Sequence, residues 1–299
     1  MYDLIIIGAG PAGITASIYA ARKKMKFMVI TKDIGGQTLW TKNIENYTGY
    51  LFITGQQLVE KFSEQLGKFN IEVKEAESVK IIKAEGSVIK VVTDKNEYEA
   101  KAVIIASGRT HRKLGVKGED EYRNKGVAYC ATCDAPMFPG KDVAVVGGGN
   151  AAVDAAIQLV SIANSVYIVD AAGELRADPV MIEKIKNSGK VKIFNNASVK
   201  EIYGDRFVTG VKIVHDGKEN DLKVQGVFIE IGSVAASQFA QDINKNEAGE
   251  INVNCRCQTN VKGIFAAGDV TDIPAKQIIA ACGEGSKAAL TAFDYINKL

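Results

Sequence analysis

Among its 299 residues the chain has only two histidines, His111 and His215, one tryptophan, Trp40, and five cysteines. Each scarcity removes a class of function. A zinc site built on Cys130 and Cys133 would need two more ligands at suitable spacing, and Cys255, Cys257 and Cys282 form no second Cys-x-x-Cys. Five cysteines are also no disulfide scaffold for a chain in a reducing compartment. No apolar run reaches the ~18 residues of a membrane span, and the chain opens on a strand, Tyr2 to Ile7, with no basic n-region or cleavage site. A cytoplasmic enzyme with no membrane partner is the expectation. Charge of one sign is missing too: 37 basic residues, scattered, face 35 acidic ones, and a net charge of +2 gives no reason to expect nucleic acid as a partner.

What is present is the composition of a soluble α/β protein, 46% hydrophobic and 24% charged with 29 glycines, long enough for two domains with their own cores. The chain is organised around Cys130-Ala131-Thr132-Cys133-Asp134. Two thiols at this spacing can close a short-loop disulfide, and the local field can lower the pKa of one, so the pair can cycle between dithiol and disulfide. With few cysteines elsewhere, a transient catalytic pair is favoured over a structural one.

The pair is flanked by two similar patterns. Leu4 to Ile7 is a continuous apolar run, as a strand buried on both faces requires, followed by Gly8-Ala9-Gly10-Pro11-Ala12-Gly13 and a helical stretch to about Lys24. Strand, turn and helix in this order make Gly-x-Gly-x-x-Gly a dinucleotide-binding signal, with the pyrophosphate at the helix N-terminus. Asp33 is the only acid near the end of the next strand, and the ribose contact is left open there. The polar stretch from Gly35-Gly36-Gln37 to Gly49 is too long for a simple connection and reads as functional. A helix over 56–69 precedes an antiparallel β meander with strands at 71–73, 79–83, 87–93 and 98–100, and 103–106 returns to the sheet.

After the cysteines the pattern repeats: Val143 to Val146, then Gly147-x-Gly149-Asn150-x-Ala152 and a helix to about Ser161. The next strand delivers Asp170, and 170 − 147 = 23 residues is close to the ~20 at which an acid meets a ribose 2′-hydroxyl. Asp178-Pro179 reads as an N-cap with proline at the first helical position. The chain then returns to its first domain through Gly263 to Asp269, and a helix over 276–299 closes it. The expected architecture is α/β: two Rossmann-like, three-layer nucleotide-binding domains, one over 113–241 inserted into the other over 1–112 and 242–299, with the β meander in the first.

On these residues, together with Gly-Gly-Gln, Glu45-Asn46-Tyr47 and Ala267-Gly268-Asp269, the chain resembles the low-molecular-weight thioredoxin reductases over essentially its whole length. Gly268-Asp269-Val270, Lys276-Gln277-Ile278 and Gly283-Glu284-Gly285 also resemble the reductase domain of the alkyl hydroperoxide reductase flavoprotein component. The resemblance implies FAD in the first domain: pyrophosphate on Gly8, Gly10, Pro11, Ala12 and Gly13, with Gly36, Gln37, Thr41 and Asn46 along the ribityl chain and flavin. Asp269, after Gly268, would take a ribityl hydroxyl, and Gln277 with Ile278 would meet the pyrimidine edge of the ring. A nicotinamide cofactor would lie on Gly147, Gly149, Asn150 and Ala152. Cys133 would face the flavin, Cys130 would attack a partner's disulfide, and Asp134 would be the acid/base; its bland reading is a turn residue before Pro136. Electrons would then run from NAD(P)H through FAD and the Cys130/Cys133 disulfide to a thioredoxin or glutaredoxin-like protein, in a homodimer. The inserted domain would turn about hinges near 112–114 and 237–242.

The chain departs from the family in one informative place. The NADPH signature, His-Arg-Arg followed by Arg-Ala, stands here as Asp170-Ala171-Ala172-Gly173-Glu174-Leu175-Arg176-Ala177. A 2′-phosphate would meet a carboxylate where two guanidiniums are usual, whereas a free 2′-hydroxyl could donate to it. NADH is therefore expected over NADPH, with Arg176 either softening the preference or serving only as a surface residue. Gly232 to Ser237, where many relatives have Pro-Asn, puts the domain junction in doubt. The readings kept beside a thioredoxin reductase are a ferredoxin-linked reductase, a dithiol or NADH oxidase, and a non-catalytic flavin redox sensor. Cys255 and Cys257 read as free thiols on one face of a strand, Cys282 as buried filler, His111 as an exposed loop residue and Trp40 as packing near the flavin loop.

Overall fold

The apolar run from Leu4 to Ile7 becomes the middle of β1 (Tyr2–Ala9), buried on both faces. The structure, a computed structural model, describes residues 1–40, 44, 46–123, 125–129 and 131–299, without the side chains of Trp40, Thr132 and Cys133. After β1 come α1 (Pro11–Arg22), β2 (Phe27–Ile34), α2 (Gly55–Gly67), β3 (Glu72–Lys74), β4 (Val79–Glu85), β5 (Val88–Thr93), β6 (Glu97–Ile105) and β7 (Arg109–His111). Next are β8 (Val127–Ala128), α3 (Ala131–Asp134), β9 (Asp142–Val146), α4 (Asn150–Val160), β10 (Ser165–Val169), α5 (Pro179–Asn187) and β11 (Val191–Phe194). The hairpins β12 (Ala197–Gly204), β13 (Val208–His215) and β14 (Lys218–Leu222) precede β15 (Gly226–Ile229), β16 (Ser233–Ala235), β17 (Ile264–Ala266) and α6 (Ile278–Ile296). The chain forms two compact units, Met1–Thr110 with Val234–Leu299, and His111–Ser233.

In the first unit the sheet runs β3-β2-β1-β6-β5-β4, with β17 also on β6. The meander is not a separate layer. β6 is one strand with two functions: Glu97 to Ala100 pair antiparallel with β5, and Ala100 to Ile105 pair parallel with β1 and β17. The sequence changes accordingly, from the alternating Glu97-Tyr98-Glu99 to the continuous Ala102 to Ile105, because only the second half is covered on both faces. The stretch 71–73, expected in the meander, instead extends the parallel edge of the sheet as β3 beside β2. α1 and α6 pack on one face. Ala235, Ala240, Ile243, Ile251 and Val270 cover the other.

That covering segment moves the return crossing earlier than the expected 241/242. Ala235 and Ala240 are 1% exposed in the first unit's core, Phe239 O accepts the Ile82 N–H, and Ser237 Oγ donates to Gly249 O at 2.6 Å. The stretch 237–242 is thus packed into the first unit and is no linker.

The second unit has a parallel sheet in the order β11-β10-β9-β15-β8. Helices α3, α4 and α5 bury one face of it, and the antiparallel β12, β13 and β14 bury the other. α5 begins as its sequence dictates, with Pro179 at the first position and the Asp178 side chain accepting the Val180 N–H at 3.0 Å. The protein is a mixed α/β chain of two Rossmann-like units, as the two glycine fingerprints foretell.

Candidate active site

In the first unit, the turn after β1 is built for backbone approach. A Cβ on Gly13 would lie 1.8 Å from Gly8 O, so only glycine lets α1 start this close to the strand. Gly10 caps α1 with no side-chain hydrogen bond, and a Cβ there would meet nothing within 4 Å. Ala12 and Gly13 follow Pro11, which has no N–H, so the helix end presents amide donors to open space. A Cβ on Gly36 would come within 3.6 Å of the Gly10 Cα, and a Cβ on Gly268 within 2.9 Å of the Ala12 Cβ, so three glycine-bearing turns converge on this helix end. Asp33, whose role the sequence leaves open, accepts the Gly36 N–H through Oδ1 at 3.1 Å.

Gln37 Nε2 donates to Arg109 O at 2.8 Å, and Asn46 Nδ2 donates to Gln277 Oε1 at 3.0 Å. Gln277 is the N-cap of the 19-residue α6 and makes no side-chain cap bond, which leaves a second uncapped helix N-terminus at Ile278. Burial pushes the Asp269 carboxyl above the usual range, Lys276 and Arg109 draw it back, and Glu250 adds to the rise. Two uncapped helix ends, a side-chain-free cradle at Gly10 and Gly36, and a half-buried acid at Asp269 fit an anionic dinucleotide with a polyhydroxylated chain, as FAD is. Of the residues expected here, Thr41 lies outside the described residues, as does the side chain of Trp40.

In the second unit the glycine turn and the acid are closer partners than the spacing alone implies. Asp170, at the end of β10, is 3% exposed, and its Oδ2 has no hydrogen-bond partner. A Cβ on Gly148 would sit 2.1 Å from that oxygen. Gly148, which the fingerprint leaves as an unspecified position, is what lets the carboxylate tuck under the turn. Arg176 donates its backbone N–H to Gly148 O at 2.7 Å, while its guanidinium reaches Asp170 Oδ1 only at 3.5 Å. Gly149 caps α4 without a side-chain bond, and Ala152 is fully buried at the helix start. A Cβ on Gly147 would strike Glu230 O at 2.3 Å. Asn150 uses Oδ1 to accept the Asp178 N–H at 2.8 Å, tying the starts of α4 and α5 together. An orphaned buried carboxylate oxygen beside an uncapped helix end fits a nicotinamide dinucleotide with a free ribose hydroxyl.

Of the Cys130 to Asp134 stretch, Ala131–Asp134 form the short helix α3. Cys130 lies outside the described residues, and Cys133 is described only through the backbone of α3. Asp134 ends that helix, and burial raises its carboxyl pKa. Among the described residues no group of three or more His, Cys, Asp or Glu could hold a metal ion, and no helix is long and apolar enough to cross a membrane.

Several readings change. Cys255 and Cys257 do not share a strand face: they flank a turn, Cys255 exposed and Cys257 fully buried at φ 61°, with its thiol pushed up to about 12 by burial first and Glu284 next. Both are free thiols, as is Cys282, which is half-buried with its sulfur 3.8 Å from the Tyr47 hydroxyl. His111 is no exposed loop residue. It is half-buried in β7, with its ring 5.8 Å from that of Tyr129, and burial followed by the Arg123 charge lowers its pKa.

The sequence also hides a support. Glu284, 7% exposed on α6, accepts the Gly268 N–H at 3.0 Å and the Thr271 hydroxyl at 3.2 Å through one oxygen, so it fixes the turn that presents Asp269. Its motif was visible in the resemblance, but its partner was not. Arg109, Glu250 and Lys276 form a second unread cluster, with Glu250 Oε1 2.6 Å from the guanidinium and 3.0 Å from the ammonium.

The family described as pyridine nucleotide-disulphide oxidoreductase matches residues 2–287. An alkyl hydroperoxide reductase subunit of Escherichia coli (strain K12) is 40% identical over 307 residues, covering 99% of this chain and 58% of that protein. A protein of Bacillus subtilis (strain 168) named NADH dehydrogenase is 39% identical over 298 residues, covering 99% and 58%. The chain thus spans 58% of the length of these curated relatives. Among solved structures, Lactococcus lactis thioredoxin reductase in its FR conformation superposes with a TM-score of 0.88 at 36% identity, covering 100% of both chains.

Proposed function

The chain belongs to the pyridine nucleotide-disulphide oxidoreductase family, and from that premise we propose that it is an FAD-dependent disulfide reductase that prefers NADH to NADPH. Its acceptor in this reading is the disulfide of a thioredoxin or glutaredoxin-like protein, reached through Cys130 and Cys133, and it works as a homodimer. The observation that carries the donor preference is the orphaned Asp170 Oδ2 beneath Gly148. A buried carboxylate oxygen can only accept, so it rewards a ligand hydroxyl and repels a phosphate. Arg176, 67% exposed along its side chain and already turned toward Asp170, offers a 2′-phosphate a weak anchor at best.

Bound FAD supplies the two-electron relay between a nicotinamide hydride and a disulfide. The chain's own residues do the rest. Amides at the start of α1 would hold the diphosphate, and Asp269, whose turn Glu284 fixes, would hold a hydroxyl of the linking chain. In the exchange step the Cys130 thiolate attacks one sulfur of the partner's disulfide and expels the other as a thiolate. Cys133 then attacks Cys130 in the mixed disulfide and releases the second partner sulfur. Two electrons and two protons leave the dithiol for the partner, and the Cys130–Cys133 bond remains. Asp134, with its pKa raised by burial, stands at the end of the same short helix to hold a proton during that exchange.

The relatives' names support the reading from two sides, one being a thioredoxin reductase and the other part of an alkyl hydroperoxide reductase. The name NADH dehydrogenase supports a second reading, NADH oxidation without a protein disulfide. Anaerobic titration of the purified protein, followed at the flavin absorption band with a thioredoxin as acceptor, separates them. The expected result is yellow protein, a kcat/KM about tenfold or more higher for NADH, and loss of thioredoxin turnover in Cys130→Ser or Cys133→Ser with flavin reduction intact. Colourless protein, or serine variants that still turn over thioredoxin, would overturn the proposal.

A further inference from the structure

We propose that Asn195 is a specificity-determining residue for the base of the nicotinamide dinucleotide: its Oδ1, which has no hydrogen-bond partner among the described residues, accepts from the 6-amino group of adenine and disfavours a 6-oxo purine. This rests on the proposed placement of that dinucleotide on the Gly147 to Gly149 turn, with its adenosine ribose at Asp170.

In the second unit β9, β10 and β11 are consecutive in the sheet and parallel, so their carboxyl ends lie along one edge. Each strand hands over to a residue of different chemistry. Gly147 follows β9, Asp170 follows β10 and Asn195 follows β11. Val169 is in register with both Val146 and Phe194, so these three residues begin at one level, on strands ~4.8 Å apart. Ligands of open α/β sheets lie beyond these strand ends. With the diphosphate at the helix start after β9 and the ribose at the acid after β10, the same outward direction puts the base over the end of β11.

That end is tied to the acid's own turn. The Asp170 N–H donates to Phe194 O at 3.0 Å, the Ala197 N–H to Asp170 O at 2.9 Å and the Asn196 N–H to Ala172 O at 2.9 Å. Asn196 takes a left-handed φ of 51°, which turns the chain one residue beyond Asn195. Between these bonds Asn195 Oδ1 is buried and partnerless, the same condition as Asp170 Oδ2 on the neighbouring strand end. A buried acceptor left unpaired is costly, and a ligand donor removes the cost. The residue itself is half-buried and the terminal torsion of asparagine is soft, so the amide can turn to its open side without giving up a bond of Oδ1. An asparagine amide carries an acceptor and a donor side by side, which matches the 6-amino group and N7 of adenine. A 6-oxo base presents an acceptor where that amino donor was. The loop tied to Asn195 is Ala171-Ala172-Gly173, so nothing longer than a methyl competes from it for the base.

Isothermal titration calorimetry of the oxidised holoprotein with NAD+ and with nicotinamide hypoxanthine dinucleotide tests this without turnover. The two ligands differ only at the base, where the 6-amino group becomes 6-oxo. The wild type should bind NAD+ about tenfold more tightly, and in Asn195→Ala the two Kd values should come within about twofold of each other, chiefly by loss of NAD+ affinity. The ratio of kcat/KM for the two reduced dinucleotides should collapse in the same way. Asp170→Ala, which acts on the ribose, should weaken both ligands alike and keep the ratio. A merely structural role for Asn195 would lower the melting temperature of Asn195→Ala and leave the ratio at about ten. That result, or equal affinities in the wild type, would overturn the inference. A wild type that binds neither dinucleotide would instead sink the cofactor placement beneath it.

Discussion

Asp170 shows how much one residue can decide. Its carboxylate has one oxygen 3.5 Å from a mostly exposed guanidinium and the other without a partner, at 3% exposure. A hydrogen bond to a buried charged group contributes about 1.5–3 kcal/mol, so Asp170→Ala should lower kcat/KM for NADH about 10- to 100-fold. The same change removes repulsion toward a 2′-phosphate, so the NADPH value should stay level or rise, and steady-state kinetics with both donors would show the ratio collapse. The acid was legible from its spacing to Gly147. Gly148 was not, because a fingerprint records which positions must be glycine for the ligand and is silent on one that must be glycine for a neighbouring side chain.

At the level of elements, the glycine turns are the most constrained pieces. In Gly13→Ala the new methyl would have to share space with Gly8 O at 1.8 Å, so α1 must shift away from β1. Forced displacements of this kind cost about 1–3 kcal/mol, and here they move the helix end itself. The variant should purify with flavin content reduced about tenfold or more, measured by the ratio of flavin to protein absorbance, with a lower melting temperature. Such turns were readable, as were the Asp178 cap and the starts of α1, α4 and α5, because local chemistry dictates them. β6 was not read as one strand, since its outer half pairs with a meander and its inner half with a buried parallel sheet, and each half shows the pattern of its own neighbours. The Cys255 to Cys257 turn was misread for a related reason: period-two spacing cannot reveal a left-handed residue between two strand-like stretches.

For the whole molecule, the two-unit organisation follows from the repeated fingerprint, but the return crossing depends on Ala235, Ala240 and Ile243 finding a core made by distant strands. That same first unit has a charge cluster with a readable acid signature. Burial would raise the Glu250 carboxyl, and hydrogen bonds from Asn246, Lys276 and Arg109 outweigh it, holding the group at about 2 against an ordinary 4.5. A pKa depressed on folding contributes stability above the ordinary value and loses it as pH falls from about 4.5 toward 2. After allowance for solvent screening this is worth about 2 kcal/mol. Glu250→Gln should therefore melt below wild type at pH 6, with the gap narrowing as pH falls below about 4.5 and closing only near pH 2, as followed by circular dichroism.

The discontinuity of the first unit also has a consequence during synthesis. β1 and α1 leave the ribosome early, yet β17 pairs with β6 and α6 packs on α1 only after residues 264–296 have emerged. The intervening 111–233 unit is contiguous and can complete its own sheet while its host still waits, half-built, for its last helix.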